Sequence, residues 1–211
     1  MSPAAVAVAE AAPRRRGRPS TGARERILEA AIETLKTEGY GGLTLAKVAA
    51  RAGEGKALIT YHFGSKQGLV AAAAEELGRV ITTDVLAEIE GARTPEEILL
   101  RSLDAVWAIL DRDPPLLRSY FDLSAVSVVE DDVRTALREV KAQWRRVLTE
   151  LLADAGVRRA TLGPAALLTI ATIEGFCLDW IERGDTPELA RARRLFVRNM
   201  VSALGGDGRT R

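Results

Sequence analysis

The sequence is poor in residues on which several classes of protein depend. Its single cysteine, Cys177, excludes an intrachain disulfide and argues against a secreted, disulfide-stabilised scaffold. Its single histidine, His62, has no cluster of cysteine or histidine near it, so we expect no metal site. No apolar run approaches the roughly 20 residues that cross a bilayer, and no basic residue precedes the first apolar stretch. We therefore expect a cytoplasmic protein with no membrane partner.

Signals of catalysis are also missing. No nucleophile–base pair, metal cluster or phosphate-binding loop occurs at a meaningful spacing, so we expect neither an enzyme nor a cofactor. Alternation of apolar and polar residues with a period of two is not sustained anywhere, which argues against a sheet. The 211 residues are 47% hydrophobic and 28% charged, as in an ordinary globular protein with a real core.

Charge is distributed unevenly, although the formal net charge is only +1. Residues 1–66 contain 11 Lys/Arg and 6 Asp/Glu, whereas residues 67–211 contain 19 and 23. This asymmetry suggests that only the first third of the chain meets a polyanion. We predict that residues 1–20 form a disordered basic arm. The arm either contacts DNA or remains a solvated tail, and its candidate DNA contacts are Arg14, Arg15, Arg16 and Arg18.

Helical periodicity and stop signals divide the rest of the chain into helices with short turns between them. The first begins near Arg24 and is stopped by Gly39, and the second follows a Thr44 cap and ends at Gly53. A third short helix covers about Lys56 to Phe63. Longer helices are predicted at 66–90, 95–113, 115–129, 131–155, 164–183 and 187–204.

The two short helices within residues 44–63, separated by a glycine turn, have the spacing of a helix-turn-helix. In that motif the second helix enters the major groove of DNA, which is about 12 Å wide. Ile59 and Phe63, at i and i+4, are predicted to be buried against the first helix. The opposite face and its flanks hold the candidate DNA contacts Lys56, Ala57, Thr60, Tyr61 and His62. An ordinary helical corner has the same geometry, so geometry alone leaves both interpretations open.

An ordered set of short motifs across residues 21–81 resembles the tetracycline-repressor (TetR) family of transcriptional regulators. The segments are 27–31, 38–40, 43–44, 48–49, 52–53 and 61–66. The resemblance implies that Thr44, Tyr61 and Lys66 contact DNA phosphates and that the exposed face from Gly55 to Thr60 reads bases. The chain departs from the family pattern at Glu54, usually apolar, at Gly55, usually a Ser or Thr cap, and at Thr60, usually a tyrosine.

The predicted helix at 164–183 is apolar almost all round, with Leu167, Ala171, Gly175 and Leu178 on one side. A surface helix of a monomer should have a polar face, so this helix is expected to lie between its own domain and a second subunit. The small side chains of Ala171 and Gly175 would allow close approach. The resemblance implies a homodimer formed through the last two helices, and the central helix of a monomer is the alternative.

The resemblance also implies a ligand cavity lined by aromatic residues among the later helices. The candidates are Trp107, Tyr120, Phe121, Trp144, Phe176 and Trp180, each of which could instead serve core packing. Glu174 lies in an otherwise apolar run, where an unpaired carboxylate would be costly to bury. Glu174 is therefore expected either to pair across a dimer or to face a polar or cationic ligand.

Together these observations predict an all-α protein with a three-helix, helix-turn-helix DNA-binding domain at 21–81. Residues 82–211 are expected to form a helical ligand-binding and dimerisation domain. The expected function is a sequence-specific repressor that binds a palindromic operator in double-stranded DNA. An unidentified small-molecule effector would release the homodimer from that operator. A DNA-binding architectural protein, or an activator without a small-molecule ligand, is the alternative.

Overall fold

The computed structural model describes residues 22–205, which form nine α-helices and no strand. The helices are α1 Ala23–Gly42, α2 Leu45–Ala52, α3 Lys56–Phe63, α4 Lys66–Ile89, α5 Pro95–Arg112, α6 Pro114–Val126, α7 Asp131–Asp154, α8 Arg159–Arg183 and α9 Pro187–Gly205. The prediction of an all-α fold is confirmed.

The first three helices pack around a small apolar core. Residues on one face of α1 meet one buried residue from each of the two short helices, and the set is Ile27, Ala31, Leu35, Val48 and Ile59. The α1 members recur at intervals of four residues, which keeps them on one side of the helix. Burial of this side fixes α2 and α3 against α1.

Helix α4 belongs to both halves of the molecule. It packs against α1 and α3 and also against α5 and α7, with Gly68 beside the end of α3 and Thr82 bonded to Trp144 of α7. Residue 81, the predicted end of the first domain, lies inside this helix, which continues without interruption to Ile89. Helix α4 therefore connects the two halves as one continuous element.

Helices α4 and α7 approach each other closely at Gly78. A Cβ at this position would lie 2.5 Å from Cγ1 of Val140. Only glycine fits such a contact without a shift of one helix. The remainder of the body packs α5 and α6 beside α4, with α8 against α7 and with α9 against α5 and α8.

The start of α8 corrects the expectation that Pro164 opens this helix. The helix begins at Arg159, so Pro164 lies inside it. Leu162 is buried in the core beside Ala165 and Ala166, and this packing holds the preceding turn in helical form. Pro164 is the sixth residue of this helix and has no backbone N–H, so the usual hydrogen bond to the carbonyl of residue 160 is not formed.

The end of α6 is a second correction. The helix stops at Val126 rather than at Val129, and residues 127–129 form a turn. Arg134 of α7 donates to the carbonyls of Ser127 at 2.9 Å and Val128 at 3.2 Å, which supplies partners outside a helix. The predicted stop at Gly39 is a real break, since its φ of +68° and ψ of −179° are not helical, and one further turn carries α1 to Gly42.

Helix α8 is long and apolar enough, by length and composition alone, to cross a membrane, and it is the one such helix within residues 22–205. Only 28% of its most apolar window is buried in the single chain. Leu167, Leu168 and Leu178 are about half exposed on this helix. An apolar, uncovered helix face of this kind calls for a covering surface.

Candidate DNA-reading face and ligand cavity

The turn between α2 and α3 is fixed by local chemistry. The Thr44 hydroxyl caps α2 by accepting the backbone N–H of Lys47 at 3.3 Å. Gly53 ends α2 in the left-handed conformation, with a φ of +67°, which favours glycine. Gly55 precedes α3 as its N-cap residue and makes no side-chain cap bond. The two helices are thereby held as the helix-turn-helix pattern predicts.

Helix α3 presents a polar face to solvent, and we call Lys56, Ala57, Thr60 and Tyr61 the reading face. All four residues are exposed, and Tyr61 has 74% of its surface accessible. Ile59, on the opposite side, is fully buried, and Phe63 packs on the core. A hydroxyl, a phenol and an ammonium group on an exposed helix are suited to base edges and phosphates.

The remaining predicted DNA contacts flank the reading face. His62 is partly buried, its ring lies edge-on to Tyr61 at 5.1 Å between centroids, and its Nε2 has no partner among the described residues. The Lys66 ammonium lies 4.6 Å from the ring centroid of Tyr40, which holds it at the start of α4. The four arginines of the predicted arm, Arg14, Arg15, Arg16 and Arg18, lie outside the described residues.

Other cations near this face are already paired. Lys47 forms an ion pair with Glu38, and its hydrogen bond lowers the pKa of that carboxyl. Arg51 lies 3.7 Å from the same carboxylate and donates to the Thr34 hydroxyl at 2.7 Å. Glu54, one of the departures from the family pattern, accepts from Nε of Arg26 at 3.2 Å. This pairing accounts for a carboxylate at a position that is usually apolar.

Gly68 positions the reading helix in a way that sequence reasoning missed. A Cβ at this position would lie 2.1 Å from the carbonyl oxygen of Phe63, the last residue of α3. The Gly68 N–H donates to the Ser65 hydroxyl at 3.0 Å, so the serine cap and the close contact coincide. The signal available in the sequence was a glycine in the first turn after a serine cap.

A cavity lies in the body of the molecule between α4, α5, α6, α7 and α8. Its volume is about 110 Å³, and it is partly open to solvent. Apolar side chains form most of the wall, among them Ile81, Val85, Val106, Leu148, Ile170 and Ile173. A mostly apolar lining with a few polar groups is typical of small-molecule sites.

Three of the six aromatic candidates line this cavity, namely Tyr120, Phe121 and Trp144. The Tyr120 ring lies 5.3 Å from the ring of Phe121 and 5.3 Å from that of Trp144, measured between centroids. The Trp144 Nε1 donates to the Thr82 hydroxyl at 2.6 Å, and this hydroxyl donates to the carbonyl of Gly78 at 2.6 Å. Trp144, on the wall of the cavity, is thus hydrogen-bonded to α4.

The other three aromatic candidates, Trp107, Phe176 and Trp180, are not part of the cavity lining. The guanidinium of Arg193 stacks on Trp107 at 3.7 Å from the ring centroid, and Trp107 is buried. Phe176 packs edge-on against Phe196 at 6.0 Å. Trp180 packs on the core from its partly buried position. Within the described chain, these three side chains contact Arg193, Phe196 and the hydrophobic core, respectively.

Glu174 provides a polar end to the cavity. Its carboxylate accepts the hydroxyl of Tyr120 at 2.8 Å and lies 2.8 Å from the ammonium of Lys141. Burial raises the pKa of Tyr120 far above its usual value, and the neighbouring carboxylate raises it further. Tyr120 is therefore a neutral donor at physiological pH. Glu174 was expected either to pair across a dimer or to face a ligand. In the structure it pairs with Lys141 of its own chain and lines the cavity wall.

Two family models match the chain. Residues 27–73 match bacterial regulatory proteins of the tetR family, and residues 95–205 match the C-terminal region of BetI-type transcriptional repressors. The second match alone covers more than half of the 211 residues. The chain belongs to the TetR family.

Relatives and solved structures agree with this assignment. The chain is 25% identical over 188 residues to the transcriptional regulator BetI of Brucella canis, covering 87% of this chain and 92% of BetI. It is 30% identical over 190 residues to the regulatory protein RaaS of Mycobacterium tuberculosis, covering 85% of this chain and 81% of RaaS. The solved structure of the multidrug binding protein EbrR with ethidium is 26% identical, with a TM-score of 0.67, covering 83% of this chain and 97% of EbrR.

Membership of the TetR family confirms the prediction of a DNA-binding transcriptional regulator. The family is regulatory rather than enzymatic, and its members bind operators, dimerise and respond to small molecules.

In this TetR-family regulator, α6 connects the cavity to the end of α1. Leu117, Tyr120 and Phe121 of α6 line the cavity. The next residue, Asp122, accepts the backbone N–H of Tyr40 at 2.6 Å. This bond is formed directly after the break in α1 at Gly39, where the chain turns. One short helix therefore contacts both the cavity and the DNA-binding half.

Proposed function

We propose that this protein is a homodimeric repressor that leaves a palindromic operator when a small molecule fills its cavity. In this proposal residues 21–81 are the DNA-binding domain and residues 82–211 bind the effector and form the dimer. The observation that carries the proposal is that α4 and α6 both line the cavity and both contact the DNA-binding half. Occupancy of the cavity can then alter the placement of the two reading faces.

In the proposed complex, the reading face of each subunit enters a major groove. Thr60 and Tyr61 offer hydroxyl groups to base edges and phosphates, while Gly55 and Ala57 allow a close approach of the backbone. The groups proposed to contact phosphates around this face are Thr44, Lys56, His62 and Lys66. The arm arginines, Arg14, Arg15, Arg16 and Arg18, add salt-dependent affinity in this proposal.

The proposed dimer forms through α8 and α9. Leu167, Leu178 and Leu195 are each about half exposed in the single chain. Gly175 has open space where a Cβ would stand, which leaves room for another helix. A four-helix interface between two copies would cover these groups, and its twofold symmetry calls for a palindromic operator. Reading helices spaced about 34–36 Å apart would meet successive major grooves on one side of the duplex.

Release of DNA requires that the effector prefer one spacing of the reading faces. The second half of α4 and the hydrogen-bonded pair Trp144 and Thr82 form part of the cavity wall. A molecule that pushes α4 away from α7 would rotate the first half of α4, to which α3 is packed. The effector would prefer the state in which the two reading faces are spread apart. The free energy of operator binding is then weakened by, at most, the free energy of that preference.

The DNA-binding part of the proposal is tested with an operator selected from a random pool by the wild-type protein. Fluorescence anisotropy then measures the affinity of Thr60→Ala, Tyr61→Ala and Lys66→Ala. We expect at least about tenfold weaker binding for Tyr61→Ala, because a base or phosphate contact is typically worth about 1–3 kcal/mol. Lys66→Ala should also lower the slope of affinity against salt by about one.

Arg145→Ala is the matched control, because it removes an exposed cation from α7, outside the proposed DNA-binding domain. Its affinity should equal that of the wild type. Unchanged affinity in all three α3 and α4 variants would show that the reading helix is assigned wrongly. If no preferred sequence emerges from the pool, the architectural alternative replaces the repressor.

A further inference from the structure

Most polar groups on the cavity wall are hydrogen-bonded within the protein, so few of them remain for a ligand. The Ser102 hydroxyl donates to the carbonyl of Ile98 at 2.7 Å, and Thr82 and Trp144 are bonded as described above. Apart from Thr169, Glu174 and Cys177, the remaining wall is aliphatic and aromatic. A ligand that fills this space must therefore have an apolar body, because polar atoms there would lose their hydration without replacement.

The exception is the end at which Glu174 lies. Among the described residues that line the cavity, Glu174 is the single charged one. Its counter-ion, Lys141, is not a lining residue and reaches the carboxylate from α7 on a side chain that is 34% exposed. The Lys141 ammonium can turn outward into water, since a long flexible stem carries it and a third of its side chain is already exposed.

Aromatic faces surround the same end. Tyr120, bonded to Glu174, lies within 5.3 Å of both Phe121 and Trp144. The faces of such rings carry partial negative charge and attract cations, most strongly where water is excluded. The Lys141 ammonium itself lies 6.0 Å from the Tyr120 ring centroid. In the single chain, the Lys141 ammonium thus occupies the position beside both the Glu174 carboxylate and the Tyr120 ring.

The geometry points to an effector that is an organic monocation, with an amine or quaternary ammonium group on an apolar body, whose charge replaces Lys141 beside Glu174. This inference rests on the proposed function, because it names the class of molecule that the cavity takes. The Thr169 hydroxyl on the cavity wall has no hydrogen-bond partner among the described residues and is almost fully buried. It is available for a single further polar group on the ligand.

An anionic ligand is disfavoured by the same arrangement. A carboxylate that approached Lys141 from inside the cavity would also meet the Glu174 carboxylate, which lies 2.8 Å from that ammonium. Two carboxylates that share one ammonium repel each other strongly in an apolar surrounding. A neutral ligand would gain neither the ion pair nor the attraction to the rings.

Three probes that share one carbon skeleton test the inference: 4-phenylbutylammonium, 4-phenylbutan-1-ol and 4-phenylbutyrate. Calorimetry with the full-length protein measures their binding, and anisotropy measures release of the selected operator. We expect the ammonium compound to bind at least about tenfold more tightly than the alcohol, with the carboxylate weakest. Equal or tighter binding of the alcohol or carboxylate, or no binding of the ammonium compound, would overturn the inference.

Variants separate the charge effect from folding. Glu174→Gln keeps the shape and an acceptor for Tyr120, so it should bind the alcohol normally and lose the preference for the ammonium compound. Lys141→Gln removes the competing cation and should bind the ammonium compound several-fold more tightly. Arg145→Gln, an exposed change on the same helix, is the control. A preference that survives in Glu174→Gln would contradict the role of this carboxylate.

The outcomes also distinguish this inference from the proposed function. Tight binding of the ammonium compound without release of the operator would support the cavity chemistry and contradict ligand-gated repression. Release of the operator by the alcohol or the carboxylate, in preference to the ammonium compound, would support gating and overturn the cationic class.

Discussion

Neighbouring residues of one short helix can have opposite surroundings. Ile59 is fully buried while Tyr61, two positions later, is 74% exposed. The rotation of 100° per residue on a helix with one packed side is sufficient to produce this contrast. The face of α3 could therefore be predicted from the sequence, whereas the partner of Glu174 could not. Lys141 lies 33 positions away along the chain, on a different helix.

The thiol of Cys177 should react very slowly in the folded protein. It lines the cavity and is buried, and burial together with the charge of Glu174 raises its pKa to about 12. At about pH 8 its thiolate fraction is then on the order of a thousandfold smaller than that of an exposed cysteine. Reaction with a chromogenic disulfide reagent measures this directly, because the chain has a single cysteine.

The rate should rise about tenfold for each unit of pH above 8, because a raised pKa leaves the thiolate as a minor species over this range. The chain unfolded in denaturant serves as the control and should react at the rate of a free thiol. Rapid modification of the native protein at pH 8 would contradict the burial of Cys177.

At the scale of helices, Gly78 allows α4 and α7 to approach more closely than a side chain at this position would permit. Gly78→Ala should destabilise the protein by about 1–3 kcal/mol, because the new methyl would overlap Val140 at 2.5 Å and force α4 and α7 apart. Thermal or urea unfolding measures the change. Gly41→Ala, where nothing lies within 4 Å of the added Cβ, is the matched control and should change stability by less than about 0.5 kcal/mol.

The double variant Gly78→Ala/Val140→Ala identifies the cause. If overlap with Val140 is responsible, the double variant should be more stable than the sum of the two single losses predicts. Strictly additive losses would show that the contact between α4 and α7 at this point is not the source.

The bond between α6 and the end of α1 makes a separate prediction. Asp122→Ala removes the acceptor of the Tyr40 N–H, which should cost about 1–3 kcal/mol of stability and loosen the DNA-binding half from the body. Hydrogen exchange at the peptide that contains Tyr40 should accelerate. Asp122→Asn retains an oxygen acceptor, so its stability and exchange rate should lie between those of the wild type and of Asp122→Ala.

Glu139→Ala, an exposed carboxylate change on α7, controls for the loss of one negative charge. It should leave exchange at Tyr40 unchanged. Unaltered exchange in Asp122→Ala would show that α6 does not hold the end of α1 through this bond.

At the scale of the whole molecule, the uncovered face of α8 predicts the state of assembly. Leu167→Glu should weaken the proposed dimer at least about hundredfold, because a carboxylate buried at an interface without a partner costs about 3 kcal/mol or more. Leu167 is 53% exposed in the single chain, so the monomer itself should remain folded. Sedimentation velocity across a range of protein concentrations measures the shift.

Val129→Glu is the matched control, since Val129 is 77% exposed and lies in the turn after α6, not in α8 or α9. This variant should sediment as the wild type does. A Leu167→Glu protein that remains dimeric would place the interface elsewhere.

The approximate helix positions and the exposed face of α3 follow from the sequence alone, because the signals for both are local. Thr44, Gly53 and Ser65 specify starts and ends within a few residues of themselves. Apolar spacing then shows which side of each short helix is buried. The bounds differed mainly where distant contacts intervened, as at the start of α8, where the buried Leu162 extends the helix before Pro164.

Which side chains form the cavity, and which of them contact each other there, depends on how the helices pack together. The sequence offered no way to tell which of the six aromatic residues line the cavity and which pack in the core. Three of them, Tyr120, Phe121 and Trp144, line it because of how α6 and α7 are placed beside α4. The pairing of Trp144 with Thr82 and the contact of Gly78 with Val140 each join residues that are 62 positions apart. Such meetings depend on the distance and angle between helices, and no local pattern in a chain encodes these quantities.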